Sequence, residues 1–326
     1  MKNEANSMKA SHRKHKRNID KGHKMMRSVT VLMSTYNGEK YIEEQIHSLL
    51  TQKNVKLAIL VRDDGSTDST KDILKEYENE GVLKWYTGEN LKPAYSFLDL
   101  INKAPESEYY AFCDQDDVWN DDKLECAVEV LDSYESAEIP RLYCANYQLV
   151  DAELKNLPDN GHVSTTTFDA ALVSSCCTGC TVVFNRALLN ILRMGTPEVI
   201  VMHDDWVHKV CLAVGGTVYY DKARVLKYRQ HGNNADGGVH SVRDKIKGIA
   251  SRIKNKDCIR SRQLKEIKKI YSCVMTDDNQ EKLELVADYK ELSLLKKMKL
   301  IHSKIICTPY ERLNRGFRVA ILFGYF

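Results

Sequence analysis

The chain has 326 residues, 43% hydrophobic and 29% charged, with a net charge of +3, an ordinary globular composition able to bury a sizeable core as one large domain with an appendage. No uninterrupted apolar run reaches the ~18 residues a spanning helix needs, and no signal-peptide core follows the basic start, so a cytoplasmic protein is expected. The ten cysteines are scattered rather than spaced as a disulfide framework, and Cys177-Thr178-Gly179-Cys180 lacks a second ligand pair for zinc, so they read as buried packing thiols.

Residues 1–27 hold many Lys, Arg and His against two acids, Glu4 and Asp20, and read as a flexible basic arm. The arm contains no aromatic side chain to stack on bases, so no nucleic-acid partner is expected. Ser28 to Thr35 is a β-branched apolar run, a strand buried on both faces, and it turns at Tyr36-Asn37-Gly38 into a helix carrying Tyr41, Ile42, Ile46, Leu49 and Leu50 on one side. The unit repeats: a strand over 57–61, a turn at 63–67 and a helix from Ser69 to Tyr77 with Ser66 or Asp68 as cap. A short strand from Val82 to Thr87, a helix from Tyr95 to Lys103 and a strand from Tyr109 to Cys113 follow. Strands alternating with helices predict a parallel sheet, whose ligands gather at the carboxyl ends of the strands.

Those ends are acidic. Asp63 and Asp64 follow the second strand, and Asp114-Gln115-Asp116-Asp117 follows the fourth. Like charges packed so closely resist ionising together unless a cation sits among them. In an extended Asp-x-Asp, the side chains of Asp114 and Asp116 share one side, and two hard oxygen ligands suit Mg2+ or Mn2+ better than Zn2+.

Beyond Trp119 the pattern gives a helix to about Ser133, a strand from Arg141 to Val150, an irregular polar connection over 151–175, a strand over 178–186 and a helix from Ala187 to Met194. His203-Asp204-Asp205-Trp206 opens a helix to about Ala213, and Gly215-Gly216 turns into a strand over 217–220. From Val242 the chain is Lys-rich, with Ile246, Ile249 and Ile253, then Leu264, Ile267 and Ile270, at helical spacing. These amphipathic helices have two open readings: they cover the core, or they lie on an anionic membrane surface, an option the apolar end over 317–326 also fits. The expected organisation is a basic arm (1–27), a core domain (28–235) and a helical C-terminal region (236–326).

Val31-Leu32-Met33-Ser34-Thr35-Tyr36-Asn37-Gly38, Arg62-Asp63-Asp64-Gly65-Ser66-Thr67-Asp68 and Asp114-Gln115-Asp116-Asp117-Val118-Trp119 together resemble family 2 inverting glycosyltransferases. With Lys123, His203-Asp204 and Tyr228-Arg229-Gln230-His231-Gly232, the resemblance is to their rhamnosyltransferase-like branch, and it covers about residues 28–234. It implies an α/β fold of GT-A type, with a Rossmann-like, mostly parallel central sheet flanked by helices. It implies that Thr35, Tyr36 and Asn37 border the nucleotide pocket, that Asp64 or Asp63 binds the base or ribose, and that Asp114 and Asp116 hold the metal on the donor diphosphate, with Asp117 as substitute. Asp204 is then the base that takes the acceptor's proton, with Asp205 as runner-up. His231 completes the metal or diphosphate site, and Arg229 grips the diphosphate. The implied partners are a dTDP- or UDP-sugar and a glycan or polyprenyl-linked acceptor in surface-polysaccharide synthesis, the protein lying in the cytoplasm or peripherally at the inner face of the membrane. One residue departs from the family: Lys92 stands where a glycine is usual.

The rivals are weaker. The first strand-turn lacks the Gly-x-Gly-x-x-Gly of a nicotinamide enzyme. A sugar nucleotidyltransferase would share the acids but wants a glycine-rich basic opening loop, and a non-catalytic nucleotide-sugar or nucleic-acid binding protein would not need Asp114, Asp116 and Asp204 together.

Overall fold

The computed structural model describes residues 26–134, 136–158, 163–231, 258–303 and 306–326. The basic arm through residue 25 and the positions Ile246, Ile249 and Ile253 lie outside them. The first half alternates as read: β1 (Arg27–Thr35), α1 (Ile42–Leu50), β2 (Val55–Asp63), α2 (Thr70–Asn79), β3 (Lys84–Thr87), α3 (Lys92–Lys103) and β4 (Tyr109–Cys113). β1 runs parallel between β2 and β4, with Thr35 opposite Asp63 and Met33 opposite Cys113, so three acidic or polar turns leave one edge of the sheet together. The residue capping α2 is Ser69, without a side-chain bond; Asp68 instead accepts from the Thr70 backbone N–H at 3.1 Å.

The chain continues through β5 (Val118–Trp119), α4 (Lys123–Asp132), β6 (Arg141–Val150), α5 (Phe168–Val173), β7 (Val183–Asn185), α6 (Arg186–Leu192), α7 (His203–Ala213) and β8 (Thr217–Arg229). The eight strands form one sheet in the order β3-β2-β1-β4-β7-β6-β8-β5. β7 is antiparallel to β4 and β6, and β5 is antiparallel to β8, while the remaining pairs are parallel.

Three elements differ from the sequence expectation, and the two-residue β5 is a strand it did not include. The strand expected over 178–186 shrinks to the three residues of β7, because Gly179–Thr181 winds into a single 3-10 turn in which the Thr178 carbonyl accepts from both the N–H and the hydroxyl of Thr181, each at 2.8 Å. The connection over 151–175 contains α5, capped by the Thr167 hydroxyl. The strand begun at Thr217 runs on to Arg229: its charged Asp221-Lys222-Ala223-Arg224 stretch looks like a loop, yet the backbone stays paired to β6 through a register shift at Ala145 and Asn146.

Alternation along the strands sorts the core into two layers. Leu32, Phe112, Leu142, Cys144 and Phe184 face one side, and Val31, Met33, Ala111, Cys113, Tyr143 and Val183 the other. The first layer includes α8 (Ile259–Tyr271), α9 (Asp277–Ala287), α10 (Leu294–Ile301) and α11 (Glu311–Phe323), which contribute Leu264, Ile267, Leu283, Phe317 and Ile321 to the cluster that holds Phe112 and Trp206. This decides the reading left open for α8. Leu264 and Ile267 cover the core, where each stabilises the fold by roughly 1.5–3 kcal/mol. Among the described residues, no helix is long and apolar enough to cross a membrane.

Candidate active site

The loops after β1 and β2 are stitched together. Asn37 adopts φ 48° and donates its N–H to the Ser66 hydroxyl at 2.9 Å, while its side-chain oxygen accepts from Thr67 at 2.8 Å. Asp63 is fully buried and accepts from the N–H groups of Gly65 and Ser66 and from the hydroxyls of Ser66, Thr35 and Thr87. Its oxygens are thereby committed to holding the turn, so of the two acids expected to read base or ribose, Asp63 is structural. Asp64 is also buried, in an ion pair with Arg62, and accepts from Leu91 N–H at 3.2 Å. Leu91 leads into Lys92, whose φ of 64° is the left-handed conformation that the expected glycine adopts at least cost. The turn is kept even though the glycine is gone.

Tyr36 is half exposed, and its backbone forms a reciprocal pair with the Gln115 side chain: Tyr36 N–H donates to Oε1 at 2.9 Å, and Gln115 Nε2 donates to the Tyr36 carbonyl at 3.0 Å. A Cβ on Gly38 would lie 2.2 Å from Gln115 Oε1, so a side chain there would displace the Gln115 amide from Tyr36. Gln115, absent from the sequence-derived site, thus ties the β1 loop to the acidic turn.

That turn is not the extended Asp-x-Asp expected, since Gln115 and Asp116 form a tight turn. Asp114 comes together with Asp117 and Cys180, their ligating atoms within 4.8 Å, whereas Asp116 Oδ2 meets His231 Nε2 at 2.7 Å. Burial pushes the Asp114 carboxyl up to about 7, and the neighbouring carboxylates of Asp116 and Asp204 push in the same direction. Asp117 is also raised, by burial and then by Asp116 and Asp114. Carboxylates so crowded resist ionising together, and a hard divalent cation among them would relieve the repulsion.

The structure gives Arg229 a different job from gripping a diphosphate. Its guanidinium donates to the Asp116 carbonyl at 2.8 Å and to the Ala152 carbonyl at 2.5 Å, pairs with Glu44 and lies over the Tyr41 ring, while its N–H donates to Asp117 Oδ1 at 3.1 Å. A fork so committed positions the acidic turn. His231 stacks on the same Tyr41 ring.

The two acids opening α7 separate cleanly. Asp205 pairs with Lys209 and accepts from Gln263 Nε2 at 2.6 Å; burial pushes its carboxyl upward, but these partners outweigh it and hold it below the ordinary range. Asp204 accepts from Asp205 N–H at 2.7 Å and lies near enough to raise Asp114. Asp205 is thus committed to Lys209 and Gln263, whereas the charge of Asp204 reaches Asp114. Their neighbour His203 is buried against Phe97 and Phe112, and burial drives its pKa down to about 3, so it is a neutral packing group. Lys123 is likewise fully buried, its ammonium 3.0 Å from the centre of the Trp119 ring and pushed down to about 7 by desolvation.

Comparison with known proteins matches this architecture. The glycosyl transferase family 2 model matches residues 30–192. A dTDP-rhamnosyl transferase, RfbG, of Shigella flexneri is 31% identical over 234 residues, 67% of this chain and 78% of that protein. A UDP-Glc:alpha-D-GlcNAc-diphosphoundecaprenol beta-1,3-glucosyltransferase, WfgD, of Escherichia coli is 31% identical over 50% of this chain and 62% of its own length. Among solved structures, residues 1–349 of Staphylococcus aureus TarS with UDP-GlcNAc superpose with a TM-score of 0.53 at 18% identity, covering 91% of this chain and 89% of that one, which shows the GT-A fold. With its strand-end acids, its sheet and these relatives in agreement, the chain belongs to glycosyl transferase family 2 and is a glycosyltransferase of polysaccharide synthesis.

Proposed function

We propose that this glycosyltransferase moves a sugar, rhamnose from a dTDP donor as the first choice, with inversion onto a glycan or polyprenyl-linked hydroxyl. The observation that carries the reading is the approach of Asp204 to Asp114, which joins a carboxylate base to the acidic turn in one crevice. Asp204 takes the proton from the acceptor hydroxyl as that oxygen attacks the anomeric carbon. Asp114, Asp116 and His231 are the residues that would hold Mg2+ or Mn2+, with Asp117 buried behind them. When bound, the ion supplies charge neutralisation for the departing nucleoside diphosphate. Thr35, Tyr36 and Asn37 line the nucleotide side, and Asp64 remains the acid for base or ribose. The dTDP choice rests on the relative RfbG; a UDP-sugar is the second reading, favoured by WfgD.

Thermal-shift midpoints with dTDP, UDP, GDP and NAD, each with and without Mn2+, test the class. The expected result is a rise with dTDP that requires Mn2+, because a ligand selective for the folded state raises the midpoint. A rise with NAD alone would remove the reading.

A polyprenyl-linked acceptor places the protein in the cytoplasm at the inner membrane face, and the exposed side of α10 and α11 supports contact with anionic lipid. Leu294 is 74% exposed, Leu295 69% and Phe323 62%, and Lys296, Lys299, Arg312 and Arg315 flank them. Apolar side chains ringed by cations suit an interfacial helix surface. The chain is expected to sediment with phosphatidylglycerol vesicles and not with phosphatidylcholine, and Leu295→Asp with Phe323→Asp should abolish sedimentation without altering the dTDP response. Equal sedimentation of that double variant would exclude this face.

A further inference from the structure

A second cluster of ligating side chains lies outside the carboxylate crevice. Cys144 projects from β6 into the first core layer, and Cys176 and Cys177 follow α5. The Cys144 and Cys176 sulfurs are 3.9 Å apart, and all three sulfurs lie within 4.8 Å of one another. Cys144 and Cys176 are buried, Cys177 half-buried, and all are free thiols. A disulfide would need sulfurs about 2.0 Å apart. Tetrahedral coordination at a metal–sulfur distance of about 2.3 Å puts neighbouring sulfurs about 3.8 Å apart, close to the spacing seen. His208, on α7, sets Nε2 3.8 Å from Cys176 Sγ while Ser175 holds its Nδ1 at 2.9 Å.

We infer that Cys144, Cys176 and Cys177 form a site for a single thiophilic cation, Zn2+ or Cu+, with His208 positioned behind the Cys176 sulfur. Three convergent thiolates are soft ligands that select such ions over Mg2+ or Mn2+, which keeps this site chemically distinct from the acidic turn. Binding releases the thiol protons to solvent and requires no oxidant or reductant. The ion would clamp the segment after α5 to β6, just before Gly179, where a Cβ would lie 2.5 Å from His203 Nε2. The clamp therefore acts one residue from Asp204.

The test uses the full chain, reduced and stripped of metal, titrated with Cd2+ and read by thiolate-to-metal charge-transfer absorbance. One equivalent is expected to bind with the absorbance of three thiolates, and Cys144→Ser, Cys176→Ser and Cys177→Ser should each lose one thiolate's share, whereas the exposed Cys273→Ser leaves the signal unchanged. Because a buried variant can misfold, Cys177→Ser is the decisive one, its fold checked by the dTDP thermal shift. The same titration in the presence of excess Mn2+ should be unaltered. The site is overturned if the reduced chain takes up no Cd2+, if Cys177→Ser retains the full absorbance, or if peptide mapping finds a Cys144–Cys176 disulfide and no metal affinity after reduction.

Discussion

Asp204→Asn is expected to lower kcat by about 10²–10⁴-fold, the range a positioned general base contributes, with donor KM near that of the wild type. The amide cannot take the acceptor's proton, yet its oxygen can still accept from Asp205 N–H, so the start of α7 keeps its geometry. Steady-state kinetics and the dTDP thermal shift together check this: turnover should collapse while the shift persists. Asp205→Asn should behave differently. It weakens the pair with Lys209 and the bond from Gln263, so it lowers the melting midpoint first and activity only through that loss. Full transfer by Asp204→Asn would move the base elsewhere.

The second large effect is at the acidic turn. Asp116→Asn is expected to cost about 10³-fold or more in turnover, the several kcal/mol that a metal clamp supplies in phosphate-leaving chemistry. It should also abolish the Mn2+-dependent nucleotide thermal shift, which Asp204→Asn leaves intact. That contrast separates the two carboxylates by role. The substitution removes the charge facing His231, but the Arg229 bond to the Asp116 backbone carbonyl survives, so the turn itself stays in place. Retention of Mn2+-dependent turnover by Asp116→Asn would exclude it as a ligand.

β1, β2 and β4 were legible because a buried parallel strand is a largely apolar run, and each gives way to polar or acidic turn residues. Asp114 and Asp116 stood out for the same reason, whereas Asp204 was picked out by the family resemblance. What escaped was set by distance along the chain. Arg229 read as a diphosphate clamp because its partner Glu44 lies 185 residues away and nothing local announces the pair. Gln115 looked like a spacer between acids, since its partner is backbone at Tyr36. β8 hid behind the exposed run Lys222 to Arg224, which breaks the strand's alternation at the register shift while the flanking residues remain in the sheet. Lys92 shows the reverse case, in which the sequence flags the right position and the backbone keeps the left-handed turn at the expense of some local strain, about 1–2 kcal/mol.

Gln263 reaches from α8 to accept the Val201 N–H at 2.6 Å and to donate to Asp205, so one side chain brackets Asp204 from both directions. The family model ends at residue 192, before any of these residues. Exchanging the segment from Ile259 onward for that of a relative would therefore transplant part of the acceptor-side geometry along with it. A hybrid that lost this glutamine would carry an intact donor half and a loosened base. On the proposed reading, the placement of the base therefore depends on a helix that lies outside the residues the family model matches.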